Sequence, residues 1–88
     1  MSDFVIKPIA VEISLSTTPN TVATASLVRL LNTNATTARL ITKKDASNTV
    51  LGTITINMSQ DLFIAKSPTD TLEVDTGTDV KATSVAFK

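Results

Sequence analysis

The chain has 88 residues, room for a single domain, and its hydrophobic content of 42% is that of a folded protein. It contains no His, Cys, Tyr or Trp, so the usual catalytic bases and nucleophiles, disulfides and zinc–thiolate sites are absent. Eight basic residues balance eight acidic ones, which gives no basic surface for a nucleic acid. We therefore expect no enzyme, cofactor or nucleic-acid partner, with a Ser–Lys or paired-carboxylate site as the remaining catalytic alternative.

The N-terminal segment is apolar and is divided by a proline. Pro8 has no N–H group and is poorly tolerated inside a sheet. We therefore predict an extended arm over residues 1–8 and a strand over Ile9–Leu15, with the odd positions on one face. The segment lacks the features of a signal peptide, and no apolar run of the chain reaches bilayer length. Synthesis in a cytoplasm and no membrane partner are expected.

The next predicted strand, Leu27–Leu31, is apolar on both faces, as a central strand is. It precedes the turn-forming sequence NTNAT. A symmetric hairpin about this turn would place Arg29 opposite Arg39, and like charges directly across a ladder are unfavourable. The strands on either side of the turn are therefore predicted to lie in different sheets or in a shifted register.

A hairpin is predicted between Ala38–Lys43 and Val50–Asn57, because the second run alternates apolar and polar residues. Pairing Leu40 with Ile54 and Ala38 with Ile56 keeps the apolar residues together on one face. This register predicts a core position for Leu40, Ile54 and Ile56, and an outward position for Arg39, Ile41, Thr53 and Thr55. Lys43 and Lys44 are interpreted as a solvated edge that discourages sheet-to-sheet association.

The C-terminal third is predicted to form strands at Leu62–Lys66, Thr71–Val74 and Val80–Phe87, separated by turns. About seven short strands at this spacing are typical of a small antiparallel β-sandwich, either immunoglobulin-like or jelly-roll-like. The predicted organisation is an extended N-terminal arm at 1–8 and one all-β domain at 9–88.

One acidic cluster, near the last turns, contains the residue type that a calcium site requires. Calcium takes six to eight oxygen ligands, which loop carboxylates can supply. The sequence DTGTD lacks the spacing and the final Glu of an EF-hand loop, so solvated turn residues are the preferred interpretation and no metal site is predicted. The cluster consists of Asp70, Glu73, Asp75 and Asp79.

Four segments of the chain carry a resemblance to a known group of proteins. They are Val28–Thr33 (VRLLNT), Gly52–Ile56 (GTITI), Ile64–Thr71 (IAKSPTDT) and Lys81–Ala86 (KATSVA). In this combination the chain resembles short β-sandwich proteins encoded by tailed bacteriophages, cyanophages among them. The resemblance implies a virion structural protein, made in the host bacterial cytoplasm, with no catalytic residues to carry over. It does not decide between head and tail.

Two functions are carried forward from this resemblance and from the fold class. The first is a capsid decoration or cement protein that binds the major capsid shell as an oligomer. The alternative is an immunoglobulin-like adhesion module, associated with a tail or fibre, that binds a host-surface ligand.

A domain this small gains little net stability, because chain entropy offsets most of what burial contributes. Without disulfides or a metal, association with other copies or with other virion proteins is expected to supply the rest. The candidate interface residues are the apolar part of the arm and the apolar side chains expected opposite the core. They are Phe4, Val5, Ile6, Leu27, Leu31 and Ile41.

Overall fold

The computed structural model describes residues 6–87, without the side chain of Phe87. These residues form eight strands and contain no helix that could span a membrane. The strands are β1 (Ile6–Pro8), β2 (Ile13–Ser14), β3 (Leu27–Asn32), β4 (Arg39–Lys44), β5 (Val50–Ile56), β6 (Asp61–Ala65), β7 (Thr71–Val74) and β8 (Val80–Phe87).

The strands form two antiparallel sheets. One follows the order β1–β8–β3–β6, with β2 also paired to β8, and the other follows the order β5–β4–β7. The predicted antiparallel β-sandwich is therefore confirmed. The separation of the strands flanking NTNAT is confirmed as well, because β3 and β4 lie in different sheets.

The core lies between the two sheets and is aliphatic. Along β3 the burial alternates strictly: Val28 and Leu30 are fully buried, while Leu27 and Leu31 are half-buried on the other face. This alternation follows from the two-residue period of a strand. The core cluster consists of Leu15, Val22, Ala25, Val28, Leu30, Ile41, Ile56, Leu72, Val74, Val80 and Ala82.

The N-terminal strand prediction was wrong over most of its length. Only Ile13–Ser14 of the predicted strand Ile9–Leu15 forms a strand, and Val11 is 86% exposed. The N–H groups of Ile9 and Leu15 also donate to carbonyls of β8. Pro8 belongs to β1, at the outer side of the sheet, where its missing N–H costs no ladder bond. β1 and β2 pair with the same side of β8, β1 with its last residues and β2 with Lys81 and Ala82. The chain between β1 and β2 is not in a strand. Residues 1–5 of the predicted arm lie outside the described residues.

The strand order corresponds to the immunoglobulin plan in part. There the second strand pairs with the fifth and the third with the sixth. When β1 and β2 are counted as one strand, β3 pairs with β6 and β4 with β7 in the same way. Two strands differ from that plan. β5 pairs with β4, whereas the fourth immunoglobulin strand lies beside the fifth in the other sheet. The second difference is β8. It lies between β3 and the N-terminal strands, whereas the last immunoglobulin strand joins the opposite sheet.

Candidate protein-interaction surface

The two sheets have four lateral edges, and three of them carry features that discourage strand addition. The edge at β7 is covered by the loop that joins β2 to β3. The N–H of Asn20 donates to the carbonyl of Leu72 at 3.0 Å, and the N–H of Val74 donates to the carbonyl of Ser16 at 3.0 Å. Edge strands that are covered in this way cannot add a foreign strand.

The edges at β1 and β6 are short and contain charge or proline. β1 has three residues, including Lys7 and Pro8. β6 begins at Asp61, whose carboxylate lies 3.5 Å from the guanidinium of Arg29. Both features are common in strands that avoid edge-to-edge association.

The edge at β5 has none of these features: no covering loop among the described residues, no charge, no proline and no short length. β5 is seven residues long, contains no charged residue or proline, and is exposed at every position except Ile56. β5 is the edge strand of its sheet, and within residues 6–87 no strand pairs with its outer side. Such an edge presents a row of free backbone donors and acceptors to a partner chain.

An apolar cleft opens beside this edge, between β5 and β6. Its volume is about 290 Å³, and its apolar lining includes Ile54, which is 45% exposed, and Phe63, which is 50% exposed. We call β5, β6 and this cleft the β5–β6 wall. The residues lining the cleft are Ile41, Lys43, Gly52, Thr53, Ile54, Phe63 and Ile64.

The β4–β5 register differs from the predicted one by a single residue, and this changes which face of β4 lines the core. Leu40 pairs with Thr55 instead of Ile54, and Ile41 pairs with Ile54. A one-residue shift exchanges the two faces of a strand relative to its partner. Leu40 is therefore partly exposed, and its predicted core position was wrong. Ile54 is on the core-facing side but at the open edge, where it is 45% exposed, so its predicted core position was wrong as well.

The same shift corrects the predicted positions of Ile41 and Arg39. Ile41 is 1% exposed and belongs to the core, so it is not on the outer face where an interface role was expected. Arg39 shares the inner face with Ile41 and Ile56. A bulge between Lys43 and Lys44 changes the register further along the hairpin, and such a bulge is not readable from apolar alternation.

Arg39 is on the inner side because it is bound by a carboxylate at the end of the sandwich. Its Nε and Nη2 atoms donate to the two carboxylate oxygens of Asp79, each at 3.1 Å. Asn34 Nδ2 donates to the same carboxylate at 2.8 Å. The Arg39 hydrogen bond, and then that of Asn34, lower the pKa of Asp79 from 3.8 to about 2. This network joins the β3–β4 loop to the loop before β8.

The prediction that Lys43 and Lys44 lie at a sheet edge was wrong, because β4 is the central strand of its sheet. Lys44 Nζ lies 2.8 Å from a carboxylate oxygen of Glu73 on the adjacent strand. Lys43 lines the cleft. The edge that remains free, β5, therefore has no lysine of its own.

The acidic cluster does not converge on a common point. Asp70 accepts a hydrogen bond from the N–H of Ser67 at 3.1 Å, and Asp75 accepts one from the N–H of Leu40 at 3.1 Å. Glu73 and Asp79 are paired with cations, as described above. Among the described residues, no three His, Cys, Asp or Glu side chains are grouped so that they could hold a metal ion.

The predicted interface residues are therefore only partly brought together. Leu27 and Leu31 lie, half-buried, on the outer face of the five-stranded sheet, where Arg29 of the same strand pairs with Phe63. Ile6 is half-buried in β1 at the opposite edge. Phe4 and Val5 lie outside the described residues.

Four exposed apolar residues of the wall were not among the sequence-based candidates. A signal for three of them was present, since β5 is an alternating run without charge or proline, which is what an unprotected edge requires. The cleft itself had no local signal, because β5 and β6 belong to different sheets. These residues are Val50, Leu51, Ile54 and Phe63.

Comparisons of this chain with protein-family models, with curated proteins and with solved structures gave no match.

Proposed function

We propose that this chain is a non-enzymatic structural protein of a bacteriophage particle. In this proposal it is a decoration or cement protein that binds the major capsid shell as an oligomer. The phage context rests on the sequence resemblance of the strand and turn motifs. The observation that carries an assembly role is the β5–β6 wall, an unprotected strand edge beside an apolar cleft.

The chemistry of the wall suits a protein surface better than a small ligand. Small-molecule sites combine an enclosing apolar cavity with a few convergent polar groups. Here the cleft is open along one side of the sandwich, and its charged lining residue is Lys43, which is paired across the ladder with Gly52. A free strand edge provides backbone hydrogen bonds, and the apolar side chains next to it provide the burial that a protein partner needs.

A decoration protein can work with a small interface of this kind. A capsid presents many identical sites, so an oligomer of decorating chains engages several sites at once. Linked binding events raise the overall affinity far above that of a single contact. The neutral net charge of the chain does not oppose close packing of copies on a shell.

The proposal is tested by cosedimentation of the purified chain with capsids assembled from the major capsid protein of the encoding phage. We expect the natural chain to sediment with capsids and the Ile54→Asp variant to lose at least tenfold in affinity, because the new carboxylate would weaken association of copies at the wall and a single copy binds a shell more weakly than an oligomer. The matched control is Thr69→Asp, at an exposed turn position, which should bind normally.

Binding to host cells, with no binding to capsids, would contradict the decoration role and support the adhesion module instead. Equal binding of Ile54→Asp and Thr69→Asp to capsids would remove the wall from the proposal. Circular dichroism of both variants checks that the sandwich is intact.

A further inference from the structure

We infer that the β5 edge pairs, in antiparallel orientation, with the β5 edge of a second copy of this chain. The two three-stranded sheets would then join into one continuous six-stranded sheet, related by a two-fold axis at Thr53. This inference deepens the proposed function, since it names the partner at the β5–β6 wall, and its physical argument depends only on the geometry of β5.

Among the edges described, β5 is the one suited to adding a strand. The β7 edge is occupied by the loop containing Ser16 and Asn20, β1 contains Pro8, and β6 begins with a charged residue. β5 is also longer than β1, β6 or β7. Seven residues at about 3.3 Å each give an edge roughly 23 Å long.

A second copy fits this edge because an antiparallel pair of identical strands is self-complementary. A two-fold axis perpendicular to the sheet keeps the inner face of one copy continuous with the inner face of the other. This condition permits only registers in which a residue lies opposite its own counterpart. The register centred on Thr53 pairs the whole of Val50–Ile56, placing Leu51 opposite Thr55 and Val50 opposite Ile56.

Gly52 favours the centred register for a steric reason. Gly52 and Ile54 both line the cleft, and the centred register places Ile54 of the second copy opposite Gly52. Within the described part of the chain, apart from Gly52 itself and its two neighbours in sequence, no atom lies within 4 Å of the position where a Cβ of Gly52 would stand. The Ile54 side chain of the second copy would occupy this open space, and each copy would cover part of the cleft of the other.

The charges permit this pairing. β5 has no ionisable side chain, so no like charges meet across the new ladder. Lys43 lies on β4, the strand next to the one that pairs with the second copy, and it is opposite Gly52 of its own copy. Its long side chain can reach solvent. Thr53 meets Thr53, a cross-strand pair that is favourable in antiparallel sheets.

The area of contact indicates a weak dimer in solution. The wall is about 23 Å long, and the molecule is 21 Å across its shortest dimension, so one copy contributes at most about 480 Å². Stable complexes bury about 800 Å² per partner. The dimer is therefore expected to form at high micromolar concentration, and to persist on a surface that holds both copies in place.

The test uses two charged variants of the residue on the two-fold axis. In Thr53→Lys a lysine meets a lysine across the joint, and in Thr53→Glu a glutamate meets a glutamate. Thr53 is exposed in the single copy, so both variants should fold. Sedimentation equilibrium of the natural chain should show dimers, each variant alone should bind itself at least tenfold more weakly, and an equimolar mixture should recover dimers. Thr69→Lys and Thr69→Glu are the matched controls and should dimerise normally.

A natural chain that stays monomeric at millimolar concentration would overturn the inference while leaving capsid binding, measured separately, unaffected. A mixture that fails to recover dimers would overturn the pairing at Thr53. Amide hydrogen exchange provides an independent measurement, because the β5 amides directed away from β4 should exchange more slowly as the concentration rises. Concentration-independent exchange along β5 would also overturn the inference.

Discussion

At the scale of single residues, a fully buried asparagine links the two sheets. Asn32 Nδ2 lies 2.9 Å from the carbonyl oxygen of Thr37, 3.2 Å from that of Asn57 and 3.4 Å from that of Ile56, while its Oδ1 accepts the N–H of Asn34. A buried amide is stable only when its donors and acceptors are satisfied. The sequence identified Asn32 as part of a turn. Its buried role depends on the end of β5, which sequence proximity does not indicate.

Asp79 gives the fold a specific dependence on pH. Its pKa is lowered from 3.8 to about 2 by Arg39 and Asn34. A carboxyl whose folded pKa lies below its unfolded pKa stabilises the fold above the unfolded value, and this contribution is lost as the pH falls towards the folded value. We therefore predict that the thermal unfolding midpoint of the natural chain falls as the pH is lowered from about 4 to about 2.

The variant Asp79→Asn separates this contribution from that of the other carboxyl groups. The variant should unfold at a lower temperature than the natural chain at neutral pH, and the difference should shrink between about pH 4 and pH 2. Calorimetry of the two proteins over this range is the measurement. A constant difference across the range would show that Asp79 does not contribute through its charge.

At the scale of the elements, the sequence predicted which segments are strands more reliably than how they pair. The β4–β5 hairpin was predicted because alternation and turn residues are local signals. Its register was not, since Leu40 and Ile41 are equally apolar and either can be placed inside. The bound Arg39 and the bulge after Lys43 favour Ile41, and both depend on residues or geometry outside the hairpin's apolar pattern.

The open position of Ile54 at the edge of its sheet is tested by two substitutions on the same strand. Ile56 is fully buried, so Ile56→Ala should lower the free energy of unfolding by about 2–5 kcal/mol. Ile54 is 45% exposed, so Ile54→Ala should cost only about 1 kcal/mol in the monomer. Urea unfolding at low protein concentration measures both values. Equal costs at the two positions would show that Ile54 is enclosed in the monomer, as predicted from the sequence.

At the scale of the whole molecule, the predicted arm is tested by a truncation. A chain without residues 1–5 keeps every strand pair found within residues 6–87, the first of which is Ile6 with Phe87, so we expect its free energy of unfolding to change by less than about 0.5 kcal/mol. The removed residues include Phe4 and Val5, and if they contact the particle, capsid binding should weaken by about tenfold, or roughly 1.4 kcal/mol. Urea unfolding and capsid cosedimentation measure the two effects. A truncated chain that binds capsids as tightly as the full chain would show that the arm has no such role.

The interaction surface could be predicted only in part for a reason of topology. The outward position of Leu27 and Leu31 follows from alternation along a single strand, and the structure agrees. The cleft requires the edges of two different sheets to lie side by side, and β5 and β6 are joined by a turn instead of a ladder. Local patterns do not specify how two sheets are stacked.

The position of β8 also affects the order in which the molecule can fold. β8 lies inside the five-stranded sheet, and its pairing joins Ile6 to Phe87, the first and last of the described residues. Contacts between such distant segments form slowly, because the entropy of closing a long loop is lost before they are made. The β4–β5 hairpin, with its short loop, can form early. Until β8 docks, one edge of β3 stays open, and the nascent chain is most exposed to mispairing during that interval.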